Sequence, residues 1–536
     1  MDMREVPARA PRMPWRWRLL AVVGLGFLVL RQLLLSVIGG VLLWQVPQVQ
    51  SWVWITMLTH QARQPLDTPP EPSLPAAAAA TLATNAAALR FADELFRPTN
   101  VWDVHLKFSA AQWAALGPNS VPPVLGFMRS DGSVILRNPK AARPGLAGVL
   151  GIDQPWSAGE LEFGGADFRD VGARFKGNGT FIEALRTHKR PFKINLNKRV
   201  KSQQLAGRTT LNFHNLVADA SCLSDTLAYE FFREAGVPAP RTAFARMRLT
   251  IDGRFTGRLL GLYVVVENPD AEWAREEFGA EGVALFKPVT YELFKDLGDA
   301  WAAYEPIYAP KTKVKARHQR RVIELARLVT LASDADFAAR IDEFIDVAEF
   351  ARFLAGEALL SNYDSILSNG QNFLLYLDPR TDRFGFIPWD LDHCWGEFPH
   401  IGTIAQREQA SLWHPWVGEN RFLERMLAVP AVHERYRREL GRLRKTLFLP
   451  ERLSARTDAL AATVRPFVAE ESADRLAKFE RVVAGRRPDG PRDGKPPGPG
   501  PVGFSLKHFF NARAAAVSDQ LEGRAEGVVL KRTPRR

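Results

Sequence analysis

The sequence predicts an α+β protein in two lobes, a β-rich lobe followed by a helical one, behind an N-terminal transmembrane helix. Three observations carry this. The apolar run Leu19 to Trp44 follows a basic start. Residues 100–290 are rich in short alternating apolar runs. Residues 315–361 and 420–482 repeat apolar residues at helical spacing.

Composition sets the bounds. The chain has 536 residues, 46% hydrophobic and 24% charged, with 14 Trp and 33 Phe. That affords a sizeable core, excludes wholesale disorder and calls for more than one packed unit. The net charge is +12. Residues 1–60 hold six Arg against two acids, and residues 484–536 hold eleven Lys/Arg against five acids. The basicity therefore sits at the two ends, and no nucleic-acid partner is expected. Cys222 and Cys394 are too few for a disulfide framework or a Cys-based zinc site, and read as buried free thiols.

Residues 1–18 form a basic N-terminus with Arg4, Arg9, Arg12, Arg16 and Arg18. Residues 19–46 read as an uncleaved anchor, because Arg31-Gln32-Leu33 replaces a small-residue cleavage site. Arg31 inside the span costs about 2.5–3.5 kcal/mol, which the surrounding apolar residues outweigh. The positive-inside rule then puts the N-terminus in the cytoplasm. The expected location is the bacterial inner membrane, single-pass, with the lipid bilayer as a partner and the soluble part on the outer side.

Residues 47–90 form a linker, with five prolines in Gln64–Ala80. Residues 91–290 form the β-rich lobe, with "VWDVHLKF", "RPFKINLN", "FARMRLTIDG" and "LLGLYVVVE" as strands. One helix interrupts them, "SCLSDTLAYEFFREAG", with Ser221 as N-cap, Leu223, Leu227 and Phe231 on its apolar face, and Gly236 as its stop. Residues 291–483 form the helical lobe. Its helix "DVAEFARFLAGEALLSN" opens on Asp346 and Glu349, a capping-box-like pair, with the stripe Phe350, Phe353 and Leu354. In residues 484–503, the run 485–503 is 12 Gly or Pro out of 19 and reads as a linker. A terminal helix over 504–523 has Phe509, Arg513, Val517 and Leu521 at helical spacing, and 524–536 is a basic tail.

The chemistry concentrates in "SNYDSILSNGQNFLLYLD", Ser361 to Asp378. Asp364 lies in the loop after the helix, and Asn372 opens the strand. A turn, "PRTD", and a second strand, "RFGFIPW", lead to Asp390 and Asp392 in "DLDHCWG". The two ends of a hairpin lie side by side, so three carboxylates and one or two amides converge. Hard oxygen ligands of this kind suit Mg²⁺ or Mn²⁺. A further aspartate can accept a hydroxyl proton. The order helix, Asp, Asn, strand, turn, strand, Asp is that of the protein-kinase catalytic loop and metal-binding aspartate. Spacing leaves open whether Asn369 or Asn372 is the metal-side amide. Lys176 in "KGNG" and Lys193 on the strand "PFKIN" are candidate phosphate cations, with Glu230 a possible partner of Lys193.

These segments, with "LAYEFFREAGVPAPRTAFARM", "GLYVVVENPD" and the closing "FFNARAAAVSDQL", resemble the CotH family of spore-coat protein kinases over about residues 95 to 400. The resemblance implies an atypical protein-kinase-like fold. It implies a phosphate-transfer enzyme using ATP and Mg²⁺ or Mn²⁺, acting on Ser or Thr of a protein substrate. It makes Asp364 the catalytic aspartate and assigns metal to Asp390 with Asn369 or Asn372, with Asp392 as a second metal candidate. It puts Lys193 on the phosphates and Glu267 near the nucleotide. Ser224 and Gly179 depart from the family, which usually has arginine and serine there. Two alternatives stand beside it: a non-catalytic surface module, for which the basic run Lys311 to Arg321 would suit acidic partners, and a metal-dependent phosphoester hydrolase.

Overall fold

The computed structural model describes residues 75–117, 154–184, 187–290, 292–484 and 504–531. The apolar segment Leu19–Trp44 and the Gly/Pro-rich run 485–503 lie outside them. Among the described residues no helix is long and apolar enough to cross a membrane.

The first part is a closed barrel. Its strands are β1 (Val101–Phe108), β2 (Ser157–Phe163), β3 (Ala166–Phe175), β4 (Phe192–Asn195), β5 (Thr210–His214), β6 (Thr242–Ile251) and β7 (Phe255–Glu267), in the order β1-β2-β3-β4-β5-β7-β6. Closure comes from β1 running parallel to β6, with Val101 opposite Phe244 and Phe108 opposite Ile251. Alternation drives it: Val104, Leu106, Phe163, Phe192, Ile194 and Phe213 point inward and are fully buried. The strands β3, β4 and β5 lie side by side, with Phe175, Phe192 and Phe213 in register. This brings Lys176, just after β3, and His214, the last residue of β5, to one end of the barrel.

Helix α1 (Ser224–Ala235) lies between β5 and β6 in the chain. Leu223, Leu227 and Phe231 are buried, and Gly236 ends the helix at φ 82°. The expected cap, Ser221, accepts instead from the N–H of Leu223, just before the helix, and it is Asp219 whose carboxylate takes the N–H of Ser224 at the helix start and also that of Ser221.

The second part is helical around a four-stranded sheet, β11-β10-β8-β9. Its strands are β8 (Ala284–Pro288), β9 (Tyr308–Pro310), β10 (Phe373–Asp378) and β11 (Arg383–Pro388). Helix α2 (Val347–Leu359) backs this sheet. Asp346 caps it, accepting from the N–H of Ala348 and Glu349. Glu349 does not close a capping box; its carboxyl accepts from the N–H of Phe386 on β11. Phe350, Phe353 and Leu354 are fully buried, and Phe353 stacks on Phe386. The long helix α3 (Pro450–Glu471) reaches back to the barrel, where Glu471 accepts from Lys189 Nζ and from the N–H of Leu262.

The terminal helix α4 (Leu506–Leu521) supports α2. Arg513 is fully buried and donates to the carbonyls of Ala358 (2.7 Å), Leu359 and Ala410 (2.6 Å). It thereby adds a donor at the end of α2, where the Ala358 carbonyl also accepts from the Ser361 N–H. Cys222 and Cys394 are free and buried. The run Lys311 to Arg321 is largely exposed at the start of a helix over Ala316–Leu331.

Candidate active site

The hairpin β10–β11 pairs Phe373 with Pro388, and the N–H of Trp389 donates to the carbonyl of Asn372. Its entrance and exit therefore touch. Asn372 (φ 60°) and Asp390 (φ 58°) both adopt the left-handed backbone at this junction. Asn and Asp tolerate that region better than other side chains, and paired outliers of this kind concentrate at functional sites.

At the entrance, three amides hold Asp364. Asn369 Nδ2 and Gln371 Nε2 donate to its Oδ1, and Asn372 Nδ2 donates to its Oδ2 at 3.0 Å and to its carbonyl at 2.8 Å. Both asparagines thus point their NH₂ groups at Asp364. Burial pushes the Asp364 carboxyl up, although His393 and Asn369 oppose it.

At the exit, Asp390 faces cations. Burial alone would raise its carboxyl, but Lys176, His214, Lys287 and His393 hold it below the usual carboxylate range. Its N–H donates to the Tyr229 hydroxyl of α1 at 3.0 Å. Asp392 is pushed well up by burial and by the nearby Asp390, Asp225 and Asp364. Next to it, burial works against a charge on His393, yet Asp392, Glu397 and Asp364 raise it well above its ordinary value. His393 Nδ1 bonds Glu397 at 2.6 Å.

The barrel supplies Lys176. Its Nζ meets His214 Nε2. His214 Nδ1 bonds Asp225 Oδ2 at 2.7 Å. The other Asp225 oxygen accepts from the N–H of Leu391 at 2.8 Å. Burial, opposed by Asp390, lowers the Lys176 ammonium to about 8. Lys176, His214, Asp225, Asp390 and Asp392 line one small cleft.

The structure separates other expected residues. Lys193 donates to Asn268 Oδ1 at 2.7 Å, and burial with Arg174, Lys311 and Lys176 lowers it strongly. Glu230 does not meet Lys193. It lies on another face of α1 and forms an ion pair with Arg456 of α3. Glu267 is fully buried at the end of β7, where Arg208 and Arg241 take its oxygens. His214, Asp225 and His393 were missed. Their signals were the histidine ending "TLNFH", the first-turn acid of "SDTLAYE" and the histidine in "DLDH".

Among the described residues no three His, Cys, Asp or Glu side chains form a ready-made metal cage. Mg²⁺ is commonly held by one or two carboxylates together with substrate phosphates, so Asp390 and Asp392 fit that role. The crowding of Asp392 by Asp390, Asp225 and Asp364, only partly offset by His393, is the local reason a cation would be favoured.

A barrel lysine facing paired aspartates at a hairpin exit, with another aspartate at the entrance, defines a kinase-like protein. The model of the family described as CotH kinase protein matches residues 173–484, more than half of the chain. The chain belongs to that family. It is 27% identical over 255 residues to the inner spore coat protein H of Bacillus subtilis, a match covering 47% of this chain and 66% of that protein. Two solved structures share 12% identity with it. One is of the Shewanella oneidensis HipA, HipB and operator DNA complex (55% of this chain, 64% of that chain, TM-score 0.25). The other is of the Helicobacter pylori proinflammatory kinase CtkA (55% and 94%, TM-score 0.21). Scores this low carry no weight for the fold. The inner-membrane location is corrected: the curated relative is named for the spore coat, and no described helix can span a bilayer.

Proposed function

We propose that the chain is a two-lobed protein kinase that transfers the γ-phosphoryl group of ATP to a Ser or Thr hydroxyl of a protein substrate. The observation that supports this most is the junction of the hairpin. It sets an amide-held Asp364 beside the Asp390–Asp392 pair, with Lys176 facing across from the barrel. When bound, ATP with Mg²⁺ or Mn²⁺ would supply an electrophilic phosphoryl group with much of its charge neutralised.

The chain's own residues then divide the work. Asp390 and Asp392 would hold the metal. Lys176 would meet phosphate oxygens, with His214 and Asp225 orienting it, and Lys193 would donate a hydrogen bond to the phosphates from β4. Asp364 would orient the substrate hydroxyl and accept its proton at a carboxylate oxygen. Its raised affinity for protons suits a base working near neutral pH. The asparagine amides keep it from turning away.

The test is label transfer from γ-labelled ATP to a generic basic or acidic protein with Mg²⁺ or Mn²⁺, beside Asp364→Ala and Asp390→Ala. Transfer lost in both variants is expected, and transfer surviving in both would sink the assignment. Release of free phosphate with no labelled protein would favour the hydrolase.

A further inference from the structure

Trp389 stands among cations from two different parts of the fold. Lys176 Nζ lies 5.2 Å from its ring centroid and Lys287 Nζ 5.7 Å. Lys176 follows β3 of the barrel, whereas Lys287 lies in β8 of the second sheet. His214 meets the same indole edge-on, with centroids 6.1 Å apart. Trp389 is buried, so its face is a fixed electron-rich surface for both ammonium groups.

The charges around this ring suit an anion. Lys176 and Lys287 act on each other, and both act on Asp390. Like charges gathered at a half-buried point repel, and an anion with several oxygens relieves that. A metal on Asp390 and Asp392 would add to the need for one. Phosphate oxygens bridging Lys176 and Lys287 would tie the barrel to the helical part.

We propose that Lys287 is a second phosphate-binding lysine, supplied from β8, and that Trp389 positions Lys176 and Lys287 against the β- and γ-phosphates of the nucleotide. This rests on the kinase reading above. It assigns recognition of the polyphosphate, as distinct from the nucleoside, to both parts of the fold.

Calorimetric titration of the full chain with ATP or AMP, each with Mg²⁺, tests it. Lys287→Gln is expected to weaken ATP about tenfold, the loss of one charge-assisted contact, and AMP by less than about twofold. Lys287→Arg should recover most of the ATP affinity. Trp389→Phe should keep it, and Trp389→Leu should lose it for ATP alone. Unchanged ATP binding in Lys287→Gln, or equal weakening of both nucleotides, overturns the inference. Failure of the wild type to bind ATP would instead overturn the kinase reading, and the inference with it. Amine labelling of the wild type, read by mass spectrometry, needs no variant. Protection of Lys287 by ATP but not AMP is expected, and protection of Lys176 alone refutes the proposal.

Discussion

The two ends of the hairpin Phe373–Pro388 carry the same residue type in opposite surroundings. At the entrance, Asp364 is held by neutral amides, and burial pushes its carboxyl up. At the exit, Asp390 is ringed by Lys176, His214, Lys287 and His393, which hold its carboxyl down. On the kinase reading proposed above, neighbours would set the two aspartates to two tasks, one ready to take a proton and the other ionised to hold a cation.

Splitting the two ends by mutation is the largest expected effect. Asp364→Asn should lower transfer by about 10²–10⁴-fold while leaving ATP–metal binding within about threefold. Asp390→Asn should lose both, read by label transfer and by thermal shift with ATP and Mg²⁺. Equal loss of binding in the two variants would erase the division.

The entrance also depends on its support. Arg513→Ala removes a buried side chain that donates to the carbonyls of Ala358, Leu359 and Ala410, and is expected to destabilise the protein by about 3 kcal/mol in urea unfolding. Gly356→Ala should cost about 1–3 kcal/mol, because its Cβ would sit 2.4 Å from the Phe232 ring of α1. Ordinary helical glycines gain from alanine, so a gain here would show that α1 and α2 can separate.

The pH profile of kcat/KM should be bell-shaped. Asp364 works ionised, so its raised carboxyl moves the acid limb up from the usual carboxylate range toward neutrality. Lys176 works protonated, so activity should fall as pH rises through about 8. Lys176→Arg should move the alkaline limb upward. An unmoved limb would take Lys176 out of the free enzyme's profile.

The smallest effect is at Glu230. Glu230→Gln breaks only the partly exposed pair with Arg456, so stability should change by less than about 1 kcal/mol and the KM for ATP by less than twofold. A tenfold rise in KM would restore Glu230 as a partner of the phosphate lysine.

The local parts of the site were legible. The hairpin, its polar entrance and its acidic exit all follow from short-range pattern. So do the Asp346 cap and the Gly236 stop. What pattern did not supply was pairing across the fold. Residues 225 and 230 both lie on α1, but the sequence singled out only Glu230. Five residues turn a helix by about 140° net, so only one of them faces the hairpin exit. It is Asp225, and Glu230 turns to α3. Glu267 ended a strand at the expected place, but Arg208 and Arg241 come from separate segments and were not visible as its partners.

By itself, the sequence determined the elements and the residues each one presents, because caps, turns and alternation act between neighbours in the chain. It determined that Asp364, Asn369, Asn372, Asp390 and Asp392 meet, because a hairpin closes on itself. The tertiary structure decided which cation joins them. The strand order β3-β4-β5 carries Lys176 and His214 to the same rim, and β8 brings Lys287 to Trp389 as well. That choice depends on how distant strands pack into one barrel and one sheet, and no local spacing encodes it.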